Sequence, residues 1–149
     1  MDSINIFGVE ISELKIISNE LGSVLHMLRN DSTGYLKFGE CYFSEVYPYK
    51  VKAWKKHKIQ TQNITVPFGK IKLVIFDDRN DSITKGRIQE IFIGRPDNYK
   101  RVTIPPGLWY GFASIGDKVA LLVNCADQPH DPNESISLGV INDYIPYVW

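Results

Sequence analysis

Hydrophobic and polar positions alternate along this chain over short runs that polar turns separate, as in β-strands. Residues 39–47 form one such run, rich in aromatic and β-branched side chains and closed by Pro48. The same pattern predicts strands over residues 51–58, 61–68, 70–76, 86–93 and 118–125. Many short strands with Gly and Pro in the turns predict an all-β fold of the sandwich or jelly-roll type.

The N-terminal segment allows two interpretations. Apolar residues recur at helical spacing between residues 9 and 28, which would fit an amphipathic helix. The sequence Asn19-Glu20-Leu21-Gly22 is also typical of a turn, and it would separate a strand over residues 9–17 from another over 23–28. We favour the two strands because of this turn.

Residues 102–112 combine an apolar strand, two prolines, a glycine and a group of large side chains. Pro105 and Pro106 cannot donate to a sheet ladder, so they should end the strand. Gly107 can adopt the positive φ that a tight reversal after proline needs. Trp109 and Tyr110 should then begin the next strand, at the mouth of the cavity of a small barrel.

Local pattern alone predicts the character of the C-terminal segment and of the two cysteines. The last segment, residues 126–149, has three prolines and mixed polarity, and we expect it to fold back over the barrel without adding regular structure. Cys41 and Cys125 lie in apolar, strand-like contexts without the spacing of a zinc site. They are predicted to be buried free thiols.

Length and charge limit the possible functions. A chain of 149 residues is expected to form a single domain over residues 1–149. Its 17 basic and 17 acidic residues balance, which disfavours nucleic acid as a partner. No apolar run is long enough to cross a bilayer, and the N-terminus has no basic leader pattern, so a cytoplasmic protein without a membrane partner is expected.

Several motifs occur in the order typical of one enzyme family. They lie at residues 19–22 (Asn-Glu-Leu-Gly), 51–54 (Val-Lys-Ala-Trp), 77–86 (Asp-x-Arg-x-x-Ser-x-Thr-x-Gly), 104–112 (Ile-Pro-Pro-Gly-x-x-x-Gly-Phe) and 131–134 (Asp-Pro-Asn-Glu). With these motifs the chain resembles the cupin nucleotide-sugar epimerases, above all the dTDP-4-dehydrorhamnose 3,5-epimerase family, over about residues 9–143. The resemblance implies a cupin jelly roll (β-barrel), a homodimer without a cofactor, and a role in bacterial deoxysugar, O-antigen (lipopolysaccharide) or other surface polysaccharide biosynthesis.

In that family a histidine removes a proton next to the C4 ketone of the sugar, a lysine stabilises the enolate and a tyrosine returns a proton. The base position corresponds here to Lys55, the lysine position to Gln62, and a second histidine position to Tyr110. The tyrosine position falls near residues 128–130, and the aspartate partner of the base would lie beyond residue 149. The resemblance therefore implies the fold of the family, whereas the catalytic residues of the family are replaced in this chain.

These replacements predict that classical 3,5-epimerase activity is absent, because each acid–base group typically contributes about 10² to 10⁴-fold. Two alternatives remain open. One is an active 3- or 5-epimerase, or a 3,4-ketoisomerase, on a nucleotide-linked 4-keto-6-deoxyhexose that uses Lys55, His57 and Tyr110 in altered catalytic roles. The other is a dimer that binds a nucleotide sugar without catalysis.

Candidate substrate-binding residues share an aromatic ring, a charge or a hydrogen-bonding group at a family position: Lys52, Trp54, Gln62, Trp109 and His130. The aromatic rings could stack on a base or a sugar, or pack in the core instead. The lysine-rich run over residues 50–58 could grip a diphosphate, or be a solvated strand edge. Only His57 remains of the cupin metal-ligand pattern, so no metal is expected.

Overall fold

The computed structural model describes residues 5–149, which form twelve β-strands and no helix. The strands are β1 (Glu10–Glu13), β2 (Ile16–Asn19), β3 (Gly22–Leu25), β4 (Glu40–Val46), β5 (Val51–His57), β6 (Gln62–Phe68), β7 (Ile71–Phe76), β8 (Ile88–Ile93), β9 (Lys100–Ile104), β10 (Trp109–Ser114), β11 (Ala120–Ala126) and β12 (Ser135–Ser137). The all-β prediction is confirmed, and the predicted strands match within a few residues.

Two five-stranded antiparallel sheets face each other. The first sheet has the order β1-β9-β6-β11-β4, and the second has the order β12-β5-β10-β7-β8. Alternate side chains of both sheets point into the space between them and form the main core, which includes Ile64, Leu73, Val102 and Leu122. The open part of this space becomes the cavity described below.

The N-terminal segment forms strands and not a helix. Residues 19–22 make the predicted turn, in which the backbone N–H of Leu21 donates to Oδ1 of Asn19 at 2.7 Å, and β2 and β3 pair across it as a separate hairpin. The predicted single strand over residues 9–17 is wrong in one respect. It breaks between Glu13 and Ile16, because β1 pairs with β9 of the first sheet whereas β2 pairs only with β3.

The proline and glycine turn has the predicted form. β9 ends at Ile104, and β10 begins at Trp109. Gly107 adopts a φ of 92°, and its N–H donates to the carbonyl of His57 at 2.8 Å. Trp109 and Tyr110 consequently point to opposite faces of the second sheet. Tyr110 enters the main core, whereas Trp109 joins a smaller apolar cluster.

The C-terminal segment departs from its prediction. It does fold back over the barrel, but Ser135–Ser137 pair with β5 and add a strand to the second sheet. As a result β5 lies between β12 and β10, so the part of the lysine-rich run that pairs with β12, residues 55–57, is not a sheet edge. Beyond β12 the chain crosses the outer face of the second sheet, where the ring centroids of Trp149 and Trp54 lie 5.3 Å apart.

The prediction of buried cysteines is wrong. Cys41 is exposed and Cys125 is half-buried, and both are free thiols. The two residues face each other in β4 and β11, with their sulfur atoms 3.1 Å apart. Their neighbours Tyr42 and Asn124 are the residues that point between the sheets, so strand alternation directs the thiols to the outer face.

None of the described residues, 5–149, belongs to a helix that could span a membrane.

Candidate active site

A cavity of about 360 Å³ opens between the two sheets. Side chains of both sheets line it: Tyr42, Ser44, Ile64, Leu122 and Asn124 from the first sheet, and Lys52, Ala53, Trp54, Lys55, Tyr110, Phe112, Ser137 and Leu138 from the second sheet and the chain that follows β12. Its size lies within the range of small-molecule sites in proteins. Its walls are largely apolar, with polar groups gathered at a few points.

His57 and Glu134 form a buried pair behind this cavity. His57 is the last residue of β5, and Glu134 immediately precedes β12. The pairing of Ser135 with His57 brings the two side chains together, and Nδ1 of His57 is hydrogen-bonded to Oε1 of Glu134. Both residues are less than 10% exposed, so the pair is shielded from water.

The Glu134 carboxylate is also held by the backbone. Its Oε2 accepts hydrogen bonds from the N–H groups of Lys58, Ile59 and Gln60 at 3.2 to 3.3 Å. Burial would favour the neutral acid, but the hydrogen bonds from His57 and from these backbone groups prevail and lower the pKa of Glu134. Glu134 is therefore an anion at neutral pH.

At His57 the effect of burial prevails over that of the neighbouring carboxylate. Burial disfavours the imidazolium and lowers the pKa of His57, although Glu134 acts to raise it. At neutral pH the imidazole is uncharged, with its single proton on Nδ1 facing the carboxylate. Nε2 then has a free lone pair, and the Oη of Tyr110 lies 3.1 Å from it.

Tyr110 connects this pair to the cavity. Its side chain is 6% exposed, and burial raises the pKa of its phenol far above the ordinary value. The phenol therefore remains protonated at neutral pH and can donate to Nε2 of His57. A carboxylate, an imidazole and a phenol thus form one hydrogen-bonded series that ends at the cavity wall.

The facing wall carries a second polar series. Asn124 accepts a hydrogen bond from the backbone N–H of Asn63 at Oδ1, at 3.2 Å. Its Nδ2 donates to the Oη of Tyr42 at 3.0 Å and to Oε1 of Gln62. Gln62 in turn donates to Oε1 of Gln60 at 2.7 Å. Because Oη of Tyr42 accepts from Asn124, the Tyr42 hydroxyl proton remains available to a second partner.

Two lysines provide positive charge beside these groups. Lys52 and Lys55 both line the cavity from β5, and the ammonium group of Lys52 donates to Oγ of Ser44 at 2.8 Å. Their side chains are exposed, so the charge lies at the open side. Such groups are suited to phosphate oxygens or to a developing oxyanion.

Comparison with known proteins identifies the family. No protein-family model matches the chain. A probable low-salt glycan biosynthesis epimerase from Haloferax volcanii, Agl13, is 35% identical over 129 residues, which cover 85% of this chain and 82% of that protein. The chain belongs to the cupin nucleotide-sugar epimerases.

Solved structures agree with this assignment to the nucleotide-sugar epimerases. A crystal structure of a dTDP sugar isomerase from Desulfovibrio desulfuricans matches with a TM-score of 0.95 and 49% sequence identity, covering 97% of this chain and 92% of that one. A dTDP-4-dehydrorhamnose 3,5-epimerase from Bacillus anthracis matches with a TM-score of 0.84 at 18% identity, over 99% of this chain and 88% of that one. The second similarity establishes the shared jelly-roll fold.

Within this epimerase fold, the predicted site residues fall into two groups. The first group lies at the cavity. Its wall includes Lys52, Trp54, Lys55 and Tyr110. Two more residues contact the wall through hydrogen bonds, His57 to Tyr110 and Gln62 to Asn124. Trp109 and His130 lie elsewhere. Trp109 packs on the outer face of the second sheet, where its Nε1 donates to Oδ2 of Asp78 at 2.9 Å, and His130 is exposed.

Three residues of the site were missed by sequence reasoning. Glu134 lies in a family motif, but its contact with His57 depends on β12, which the sequence pattern does not predict. Tyr42 and Asn124 occupy inward positions of strands that were predicted, so strand alternation could have placed them between the sheets. Nothing in the local sequence indicates that Asn124 would orient Tyr42.

Among residues 5–149 no group of three or more His, Cys, Asp and Glu side chains is placed to hold a metal ion. Glu134, the nearest carboxylate to His57, already has both oxygen atoms engaged in hydrogen bonds.

Proposed function

We propose that this protein is a sugar epimerase or isomerase that removes a proton next to the ketone of a nucleotide-linked 4-keto-6-deoxyhexose, with a catalytic set different from the classical one. The observation that supports the proposal is the buried His57–Glu134 pair, in which His57 is hydrogen-bonded to Tyr110, a residue of the cavity wall. A neutral imidazole held by a carboxylate is a base suited to neutral pH. In this proposal the protein carries out the proton removal that is typical of the family, but with different residues.

The cavity supplies the other groups that this reaction needs. Removal of the proton leaves negative charge on the ketone oxygen, and the ammonium groups of Lys52 and Lys55 can stabilise it. The Tyr42 hydroxyl can donate a hydrogen bond to the sugar from the opposite wall. Lys52 and Lys55 are also placed to attract the diphosphate of a nucleotide sugar, and the similar dTDP sugar isomerase supports dTDP as the nucleotide.

The wider biological role is part of the same proposal. The glycan biosynthesis epimerase among the relatives supports a role in making a surface polysaccharide such as O-antigen. We propose that the chain works as a single-domain, cytoplasmic homodimer. Exposed apolar side chains on the β2–β3 hairpin, including Leu21 and Val24, would be covered in such a dimer. Light scattering coupled to size exclusion should then give twice the 17.0 kDa chain mass.

Deuterium exchange tests the proposed reaction. The protein is incubated with dTDP-4-keto-6-deoxyglucose in D₂O, and C3 and C5 are followed by NMR. We expect protein-dependent incorporation at one of these carbons, reduced at least about 100-fold in His57→Asn. His130→Asn is the matched control, because this exposed histidine lies outside the cavity lining. Saturable dTDP binding without exchange would contradict catalysis and favour a binding protein.

A further inference from the structure

Tyr110 lies between the cavity and His57. Of residues 5–149, those that line the cavity include Tyr110 but not His57. The two rings are nearly parallel, at 19°, with centroids 5.8 Å apart, and the phenol oxygen lies 3.1 Å from Nε2. Resting on the function proposed above, we propose that Tyr110 is the catalytic residue that exchanges the proton with the sugar, and that His57 and Glu134 act through it as positioning residues.

Hydrogen-bond donors and acceptors fix the direction of this series. Glu134, as a carboxylate, can only accept, so the bond to His57 requires a proton on Nδ1. A neutral imidazole has one N–H, and Nε2 is therefore an acceptor. Tyr110 must then donate to Nε2, which leaves the lone pairs of its oxygen available toward the cavity.

The proposed step balances in atoms and charge. The C–H bond next to the ketone breaks, its electron pair moves toward the ketone oxygen to give the enolate, and its proton goes to Oη of Tyr110. In the same step the original phenol proton passes to Nε2 of His57, giving an imidazolium beside the Glu134 carboxylate. Reversal of these transfers on the same face regenerates the substrate. Epimerisation requires that the enolate take its new proton on the opposite face, from water or from the Tyr42 hydroxyl on the facing wall with water replacing the Tyr42 proton, while the imidazolium of His57 returns its proton to water. Apart from water, no oxidant, metal or other reactant is required.

Burial of Tyr110 explains why the two transfers must be coupled. Its burial in the main core raises the pKa of the phenol, so a free phenolate is not a stable intermediate. A phenol that loses one proton as it gains another remains neutral throughout. Direct contact between His57 and the sugar would instead require the Tyr110 side chain, which is 6% exposed, to leave its packing in the main core.

The tautomer of His57 can be measured without substrate. Two-dimensional ¹⁵N NMR of the resting protein should show a protonated Nδ1 and an unprotonated Nε2, and Tyr110→Phe should shift the Nε2 resonance because its donor is lost. The reverse tautomer, with the proton on Nε2, would overturn the proposed direction of transfer.

Exchange kinetics test the catalytic role. Tyr110→Phe removes only the hydroxyl and should lower deuterium exchange at least about 100-fold, with dTDP affinity unchanged within about threefold. Because Tyr110 and His57 act as one unit, Tyr110→Phe combined with His57→Asn should be about as slow as either single variant. Tyr49→Phe, in an exposed turn, is the control, and the thermal unfolding midpoint of each variant checks folding.

The outcomes separate this proposal from the proposed function. Exchange by Tyr110→Phe at a rate within about threefold of the natural protein, together with its loss in His57→Asn, would overturn the role of Tyr110 alone and make His57 the direct base. Absence of exchange in the natural protein would overturn the proposed reaction and, with it, any catalytic role for Tyr110.

Discussion

The charge state of His57 depends on two opposing effects. Burial lowers its pKa below the ordinary value near 6.5, and the Glu134 carboxylate limits this reduction by stabilising the imidazolium. A base is active in its deprotonated form, so the acid limb of the pH–rate profile should lie below pH 6.5 and activity should be level through neutral pH.

Glu134→Gln is the variant that tests this balance. It keeps the shape and an acceptor for Nδ1 but removes the negative charge, so the pKa of His57 should fall further. The acid limb should move to lower pH, and the rate on the plateau should fall about 100-fold or more, because the imidazolium formed in the reaction is no longer stabilised. Glu45→Gln, on the exposed part of β4, provides a matched control. An acid limb that does not move would contradict the assignment of this titration to His57.

The residues of the candidate site differ in how far the sequence indicates them. His57 and Tyr110 lie next to motifs, the lysine-rich strand and the Pro-Pro-Gly turn, so position alone made them candidates. Glu134 is 77 positions from His57, and only the pairing of β12 with β5 brings the two into contact. A three-residue strand in a proline-containing segment has almost no hydrophobic pattern of its own, and it is stabilised by the long-range partner that it meets.

The loop after β7 shows how a motif can be structural. Asp77 is fully buried, and its carboxylate accepts hydrogen bonds from Arg79 at 2.9 Å, from Ser82 at 2.5 Å and from Thr84 at 2.6 Å. These residues account for the Asp-x-Arg-x-x-Ser-x-Thr pattern. Burial opposes ionisation, but the hydrogen bonds prevail and lower the pKa of Asp77 well below its ordinary value.

Asp77→Asn should therefore destabilise the protein in a pH-dependent way. The variant leaves Arg79 without its charged partner, at a cost of about 3 kcal/mol in the free energy of unfolding at pH 7. A carboxyl group with a depressed folded pKa stabilises the fold above its unfolded pKa, near 4, and this contribution is lost as the pH falls toward the folded pKa. The difference in the free energy of unfolding between the variant and the natural protein should thus become smaller below about pH 4, as measured by urea unfolding.

Asp81→Asn, at an exposed position of the same loop, should change the free energy of unfolding by less than about 0.5 kcal/mol at any pH. A pH-independent loss at Asp77 would contradict the role of its charge.

At the scale of the whole molecule, the second sheet has apolar contacts on both faces. Its inner face forms the cavity wall, and its outer face carries a smaller cluster of Trp54, Val74, Phe76, Trp109 and Ile145. Trp54 belongs to both, because it also lines the cavity. The C-terminal segment covers this cluster. Gly111 lies beneath it, where a β-carbon would be 2.4 Å from Cβ of Ala53 on β5 and 3.1 Å from the Trp149 ring.

Trp149 should therefore affect both stability and the site. Its ring packs against Trp54 and Tyr147, and its indole N–H has no hydrogen-bond partner within residues 5–149, so Trp149 itself contributes through ring packing. Loss of a half-buried tryptophan ring in Trp149→Ala should cost about 2 kcal/mol in the free energy of unfolding. It should also weaken dTDP-sugar binding, because Trp54 loses a packing partner.

Val148→Ala, at a side chain that is 92% exposed, should leave the free energy of unfolding and the dTDP-sugar affinity unchanged. Chemical denaturation and calorimetric titration of the two variants measure these effects, and equal behaviour of Trp149→Ala and Val148→Ala would show that the C-terminal segment does not support the cavity wall.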